Sequence, residues 1–377
     1  MSEPEPALLF SGAEWLRYTR HLQLPGFGAG GQSALKRARV LIVGCGGLGA
    51  PVALYLAAAG VGRITLLDGD RVDLANLQRQ IAFATADVGQ AKAECARRRL
   101  LALNPEIEVA AVAQYLHSGN AGDLVAAADL VVDCSDNFAT RYLINDACVG
   151  ARRPWLYASI HQFSGQAALF MPGQACFRCV FPEPPEQAPD CNTAGVLGVL
   201  PGLLGCLQAS EAIALLAGLE PALANRMALF DARTLTLRKL ALTPSRDCAC
   251  RAAAGSVPLP AAPPQAACAA ADGGADGAGL GVEAFLEAMT RPGACLVDVR
   301  GLDERRGFHV GGIHLELEQL PQRLHELPRE GAILLYCQSG ARSARAAELL
   351  LRAGFGRVQH LSGGLLALLR SGADWQR

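Results

Sequence analysis

Cys337 begins the stretch Cys337-Gln-Ser-Gly-Ala-Arg-Ser343, directly after the apolar run Ala332-Ile-Leu-Leu-Tyr336. A buried strand ending there delivers a thiol into a tight loop of backbone N–H groups, closed by Arg342. Such a cradle holds an anion and lowers a thiol pKa. A second chemical signal stands near the other end of the chain. Gly44-Cys-Gly-Gly-Leu-Gly49 follows the β-branched run Arg39 to Val43. Gly44, Gly46, Gly47 and Gly49 would let the main chain approach a phosphate and present N–H groups at a helix start. The plain alternative is a tight turn in an α/β protein. Asp68, after the next strand, is placed to accept both hydrogens of a ribose diol, which also fits a nicotinamide dehydrogenase. Asn76, Arg79 and Lys92 then add an amide and two cations. A triphosphate uses such cations, because charge develops on it as its α-phosphorus is attacked. Ordinary surface charge is the alternative for both. Asp133 and Asp136 flank the end of another strand, where they either hold Mg²⁺ or cap a helix.

Thirteen cysteines are present, an odd and high number. Cys176 and Cys179 have the spacing of a zinc knuckle, and Cys248 and Cys250 supply two more sulfurs. Four thiolates make a closed tetrahedral structural site for Zn²⁺. Only Ala249 separates the second pair, which adds angular strain; unbound thiols are the alternative. Cys191 precedes a glycine-containing loop and is either an accessible nucleophile or a small buried residue. Cys45, Cys95, Cys134, Cys148, Cys206 and Cys295 read as packing residues, and Cys268 as a linker thiol. The first nine residues lack the basic start and apolar core of a secretory signal, so a cytoplasmic, reducing home is expected.

These residues need elements to position them. The order strand, glycine turn, helix (Ala50 to Ala59), strand (Arg63 to Leu67) is that of a mononucleotide-binding βαβ unit. A helix over about Lys92 to Leu103 and strands at Glu108 to Val112 and Leu130 to Cys134 continue an α/β domain with a mostly parallel sheet. Glu14 to His21 is polar helical material. From Arg251 to Gly279 the chain is Ala-, Pro- and Gly-rich with little charge, which reads as a linker. Beyond it, strands are expected at Cys295 to Val299, Ala332 to Tyr336 and Val358 to Leu361, with a helix at Ala344 to Ala353. The expected division is residues 1–250, a linker 251–280, and a small α/β domain 281–377. Net charge is -1, from 34 basic and 35 acidic side chains. That balance gives no support for nucleic-acid binding. Apolar stretches are broken by charge, glycine and proline before membrane-spanning length, and Thr193 to Ala209 reads as a buried helix or packed loop.

The first 250 residues resemble the MoeB/ThiF family, bacterial relatives of ubiquitin-activating E1 enzymes. The resemblance rests on Arg17-Tyr-Thr-Arg-His-Leu22, the Gly44 to Gly49 loop, Asp68-Gly-Asp70, Asn76-Leu-Gln-Arg-Gln80, Lys92, Asp133-Cys-Ser-Asp-Asn137, Cys176-Phe-Arg-Cys179 and Ala194-Gly-Val-Leu-Gly198. It implies a Rossmann-like adenylation fold with a zinc knuckle. It also implies ATP-dependent adenylation of the C-terminal glycine of a ubiquitin-like sulfur-carrier protein that ends in Gly-Gly. By the same resemblance Asp68 binds ribose, Asn76, Arg79 and Lys92 contact phosphates, and Asp136 holds Mg²⁺. Arg20 reaches the neighbouring subunit of a homodimer, and a cysteine near Cys191 handles the carrier. The family's second cysteine pair is normally C-x-x-C, unlike Cys248-Ala-Cys250.

Residues 281–377 resemble a rhodanese domain through Val297-Asp-Val-Arg300, the Cys337 loop and Leu361-Ser-Gly-Gly364. A phosphatase loop has one more residue before its arginine, so the Cys337 to Arg342 spacing suits a persulfide. The stretch Phe308-His-Val-Gly-Gly-Ile-His314 lacks the family's proline and asparagine; His309 is read as a local packing or hydrogen-bonding residue. The two resemblances together imply adenylation followed by sulfur transfer through Cys337, with a cysteine desulfurase or another compound as donor. Molybdenum cofactor synthesis is the first pathway expected. A nicotinamide-dependent oxidoreductase with an accessory domain explains the glycines and Asp68, but not Asn76, Arg79 and Lys92. A non-enzymatic adaptor for a ubiquitin-like protein is the other alternative.

Overall fold

The computed structural model describes residues 9–183, 195–251 and 278–375. The chain divides into two compact units, residues 1–265 and 266–377. Most of the stretch read as a linker, with Cys268, lies outside the described residues, as does Cys191.

The first unit is built on one eight-stranded sheet. Strands β1 (Arg39–Val43), β2 (Arg63–Leu67), β3 (Glu108–Val112), β4 (Leu130–Asp133) and β5 (Trp155–His161) are parallel, in the order β3-β2-β1-β4-β5. In β1, Val40 and Ile42 enter one apolar core while Leu41 and Val43 enter the other. A two-residue alternation that is apolar on both sides is what a sheet covered on both faces demands. The progression of strand order reverses at β1, so β2 and β4 flank it and their C-terminal ends open on one crevice. Open parallel sheets bind ligands at such a switch point. Antiparallel strands β6 (Ser164–Phe170), β7 (Arg226–Asp231) and β8 (Thr236–Ala241) extend the sheet beyond β5. The sheet is therefore mixed, parallel in its ligand-facing half.

Four helices matter for the sites. In α3 (Gly49–Ala59) eight of the eleven residues are buried, and Gly60 ends it at φ 85°. A Cβ on Gly60 would lie 2.5 Å from the Tyr18 ring, so both backbone and space call for glycine. The α4 helix (Lys92–Leu103) starts with Lys92, and α6 (Phe138–Ala151) is capped by Asn137, whose Oδ1 accepts from Thr140 N–H at 2.9 Å. Asn at this position satisfies one of the otherwise unpaired first-turn donors. The helix Val199–Leu216 corrects the reading that apolar stretches stop short of spanning length. Among the described residues it is the one helix long and apolar enough to cross a membrane by length and composition. It packs on α3 and on β5 and β6, and buries Leu200, Leu204, Ala209 and Ala212 in the sheet core. Its Gly205 seats against Pro51, where a Cβ would be only 2.4 Å from the proline ring.

The second unit is a five-stranded, all-parallel sheet in the order β11-β10-β12-β13-β9. Its strands are β9 (Gly279–Leu280), β10 (Ala294–Asp298), β11 (Ile313–His314), β12 (Ala332–Tyr336) and β13 (Val358–Leu361). β9 pairs with β13 just upstream of residue 281. Central β12 is fully buried after Ala332. The Cys337 loop follows it and leads into the helix Ala341–Arg352, which starts three residues earlier than its apolar pattern suggests. The early start puts the N-terminal amides of that helix around the thiol.

Candidate active sites

At the switch point a cavity of about 170 Å³ is lined by the glycine loop, Asp68, Asp70, Arg79, Gln80, Lys92, Tyr115, Ser135, Asp136, Asn137 and Arg141. Close contact explains the glycines at both ends of the loop. Gly44 has φ 94°, and a Cβ there would meet the Cys134 carbonyl at 2.7 Å; a Cβ on Gly49 would meet the Gly44 carbonyl at 2.0 Å. Asp68 anchors the loop. Its Oδ2 accepts from Cys45 N–H at 2.7 Å and its Oδ1 from Asp70 N–H at 2.8 Å. Burial raises the Asp68 pKa, partly offset by Lys92 and those two amides.

Lys92 is 5 % exposed, and its Nζ bonds Asp70 Oδ2 at 2.8 Å. Tyr115 donates to the other Asp70 oxygen at 2.5 Å. Burial opposes ionisation of Asp70, but the bonds from Lys92 and Tyr115 outweigh it and lower its pKa. An unpaired ammonium at that depth would cost several kcal/mol, so Asp70 holds the cation in place. Arg79 donates from Nη2 to Asn76 Oδ1 at 2.9 Å. Arg79 and Lys92 line the cavity; Asn76 does not, and acts here by holding Arg79. Beside Gly46, Gln80 is 5 % exposed and its Oε1 has no hydrogen-bond partner among the described residues.

The two carboxylates that flank the end of β4 separate. Asp136 lines the cavity, whereas Asp133 is fully buried and does not, which removes it as a Mg²⁺ ligand. Asp133 instead accepts from Ser135 N–H at 2.9 Å and from Ser135 Oγ at 2.6 Å, fixing the turn that carries Asp136. Burial pushes its pKa up to about 6 against the nearby Arg141 charge. Arg141 is 4 % exposed, sits over the Phe138 and Tyr157 rings, and donates to the Ser135 carbonyl at 3.1 Å. Sequence reasoning missed Arg141 and Tyr115, and gave Gln80 no role beyond its place in the Asn76 to Gln80 stretch. Gln80 directly follows Arg79, and Tyr115 follows the C-terminal end of β3, where ligand-facing residues collect. Arg17 and Arg20 stand on α1 (Gly12–Leu22), outside the cavity lining. Arg17 donates to the Leu103 carbonyl at 3.0 Å, while Arg20 is exposed.

The sulfurs of Cys176, Cys179, Cys248 and Cys250 lie within 4.8 Å of one another. Cys176 caps the one-turn helix Phe177–Val180, and a 3-10 turn at Ala249–Arg251 brings Cys250 in despite the short spacing. Burial first, then the neighbouring thiols, push Cys250 up to about 12 and Cys176 further. A divalent cation relieves that repulsion, and the donor set fits tetrahedral Zn²⁺. Elsewhere Cys45, Cys95, Cys134 and Cys148 are buried and Cys295 is half-buried; Cys206, read as a packing residue, is exposed.

In the second unit Cys337 is fully buried. Its Sγ accepts from Gly340 N–H at 3.2 Å and Ser343 N–H at 3.4 Å, and its thiol donates to Ser343 Oγ at 3.5 Å. The glycine pair after β13 braces the loop: Leu365 N–H donates to the Cys337 carbonyl at 2.9 Å. A Cβ on Gly364 would lie 2.5 Å from that carbonyl. The Arg342 guanidinium, expected to close the loop, is engaged by Glu304. Its Nη1 and Nη2 bond the two oxygens of Glu304 at 2.6 and 2.7 Å. Arg300 is 2 % exposed and forks onto Asp298 at 2.9 and 2.8 Å. His309 accepts from Gly311 N–H at 3.0 Å, a local hydrogen-bonding role as expected.

Comparison with known proteins assigns both units. Residues 18–252 match the ThiF family and residues 282–370 the Rhodanese-like domain. The chain is 39 % identical over 392 residues to the probable adenylyltransferase/sulfurtransferase MoeZ of Mycobacterium tuberculosis, covering 96 % of this chain and 95 % of that one. It is 50 % identical over 248 residues to adenylyltransferase and sulfurtransferase MOCS3 of Sus scrofa, covering 65 % and 54 %. Among solved structures, Escherichia coli MccB with ATP matches with a TM-score of 0.55 at 28 % identity, covering 62 % of this chain and 74 % of that chain. The extent of these matches shows that the chain belongs to the ThiF family and carries a Rhodanese-like domain at its C-terminal end.

Proposed function

We propose that the chain adenylates the C-terminal glycine of a ubiquitin-like sulfur-carrier protein and then converts that carboxylate to a thiocarboxylate. One observation carries the reading. The glycine loop, Asp68, Arg79, Lys92 and Asp136, far apart in sequence, line one cavity at the strand-order switch. ATP occupies it with its ribose on Asp68 and its phosphates on the loop amides, Arg79 and Lys92, with Asn76 steadying Arg79. The carrier carboxylate attacks the α-phosphorus, and pyrophosphate leaves with the electron pair. Lys92 and Arg79 meet charge that grows on the phosphates during that step, which is where fixed cations are most effective. Asp136 would hold Mg²⁺, whose charge would offset that of the triphosphate. Arg20 completes the site of a second copy in a homodimer.

Cys337 carries the sulfur. Its thiolate takes sulfane sulfur from a donor, a cysteine desulfurase among the candidates, and the donor's other sulfur leaves with the bond pair. The persulfide attacks the acyl-adenylate carbonyl and AMP departs. Attack by a second thiol on Cys337 Sγ releases the thiocarboxylate and leaves a disulfide, which an external thiol reduces. Cys191 is assigned as that second thiol. Cys176, Cys179, Cys248 and Cys250 would hold Zn²⁺, a structural pin at the end of the adenylation fold. Molybdopterin synthesis is the first pathway in view. ATP–pyrophosphate exchange, with and without a carrier ending in Gly-Gly, tests the first half. Carrier-dependent exchange is expected; NAD reduction in its place would overturn the reading.

A further inference from the structure

Tyr115 follows the end of β3, and its loop is braced. Asn120 Nδ2 donates to the Tyr115 carbonyl at 3.0 Å, and Asn120 Oδ1 accepts from His117 N–H at 2.9 Å, so the first turn of the helix Ser118–Ala126 clamps it. The Tyr115 ring lies against Gly69, where a Cβ would sit 2.8 Å from it. The residue is nonetheless 60 % exposed and lines the nucleotide cavity. Its hydroxyl donates to Asp70 Oδ1 at 2.5 Å, the short end of the range for an O–H group on a carboxylate. Asp70 Oδ2 holds Lys92 Nζ at 2.8 Å. Tyr115, Asp70 and Lys92 thus form one chain of charge-assisted bonds, from the cavity rim to a buried ammonium. Burial works against the Asp70 charge, and the bonds from Lys92 and Tyr115 together overcome it. Asp68, whose Oδ1 accepts from Asp70 N–H, adds a second negative charge nearby.

A bound triphosphate calls on the same ammonium that Asp70 holds. Turning Lys92 to a phosphate would leave the Asp70 charge poorly matched beside Asp68, which favours keeping the cation where it is. A second donor that stays on Asp70 relieves this conflict. We propose that Tyr115 is a positioning residue for the phosphate site: its hydroxyl fixes the Asp70 carboxylate and shares its charge, so that Lys92 turns to the triphosphate without stranding an acid behind it. The inference rests on the reading that this cavity binds ATP. The phenol makes no bond to the reacting atoms and transfers no proton; it acts through Asp70 on Lys92. If the ring served only as an apolar wall for the nucleotide base, the hydroxyl would be idle.

The test uses the full chain and a carrier ending in Gly-Gly. ATP–pyrophosphate exchange, and equilibrium binding of ATP and of adenosine, are compared between wild type and Tyr115→Phe. That variant keeps the ring and removes one hydroxyl at an exposed site; circular dichroism checks its fold. Exchange kcat/KM for ATP should fall roughly fivefold to tenfold, the scale of one charge-assisted bond to a half-exposed carboxylate. ATP should bind more weakly to match, whereas adenosine, which brings no phosphate, should bind within about twofold of wild type. In a Lys92→Met background the same substitution should cost about twofold or less, because the two side chains act through one network. Three results would overturn the proposal: exchange unchanged by Tyr115→Phe, adenosine weakened as much as ATP, or full additivity with Lys92→Met. If wild type shows neither ATP binding nor exchange, the underlying reading falls, whatever Tyr115 does.

Discussion

In the nucleotide cleft Lys92 meets one oxygen of Asp70, a half-exposed carboxylate that it shares with Tyr115. In the Cys337 loop the Arg342 fork meets both oxygens of Glu304. Both sites keep a cation on an acid, and the pairing geometry sets what displaces it. A single ammonium contact can be redirected by a ligand that brings several charges. A bidentate fork gives up two charge-assisted bonds at once, and only a close-fitting ligand repays that. The Lys92 cation is thus the easier of the two to redirect toward an incoming ligand.

Separating the two chemistries is the harshest way to break this comparison. Cys337→Ser should abolish sulfur transfer, a loss of roughly 10³-fold or more, while leaving ATP–pyrophosphate exchange intact. Loss of both would mean the units do not act as distinct catalysts. Next in size, Lys92→Met should slow exchange by roughly 10²–10³-fold yet leave thiocyanate formation from methanethiosulfonate unchanged. An exchange rate within about threefold of wild type would remove Lys92 from the phosphate site. Metal analysis of the purified chain should find zinc, and Cys176→Ser should lose it. With it the melting transition should fall by on the order of 10 °C; a zinc-free native protein with an unshifted transition contradicts the assignment.

The smallest expected effect concerns Asp133. Its folded pKa, about 6, is above the ordinary value of 3.8 because of burial. Below pH 4 its protonated form is fully compatible with the fold. As pH rises through 6, ionising it costs about 2–3 kcal/mol of stability. Asp133→Asn cannot titrate, so wild type should lose stability relative to the variant between pH 4 and pH 7. Paired denaturant melts across that range check the sign. A pH-independent difference would show that Arg141 and Ser135 hold Asp133 ionised throughout.

The ligand-facing strands were legible because Arg39 to Val43 and Arg63 to Leu67 are short apolar runs cut off by glycine and aspartate. The later strands were not. Thr236-Leu-Arg-Lys-Leu-Ala241 is largely exposed along its length and carries no apolar alternation. Site residues chosen by spacing, such as Lys92 and Asp136, do line the cavity. Asp133 failed because a carboxylate ending a central strand can as easily turn into the core. Tyr115 and Glu304 act across 45 and 38 residues of sequence on Asp70 and Arg342. Such pairs exist only once topology brings distant turns together, so no local pattern reports them.

The most direct measurement is intact-mass analysis of a Gly-Gly-terminated carrier incubated with the full chain, ATP and a persulfide donor, followed by thiol reduction. The account predicts a carrier in which one terminal oxygen is replaced by sulfur, formed only with ATP and absent with Cys337→Ser. A carrier left unchanged while AMP and pyrophosphate accumulate, or a thiocarboxylate formed without Cys337, would contradict it.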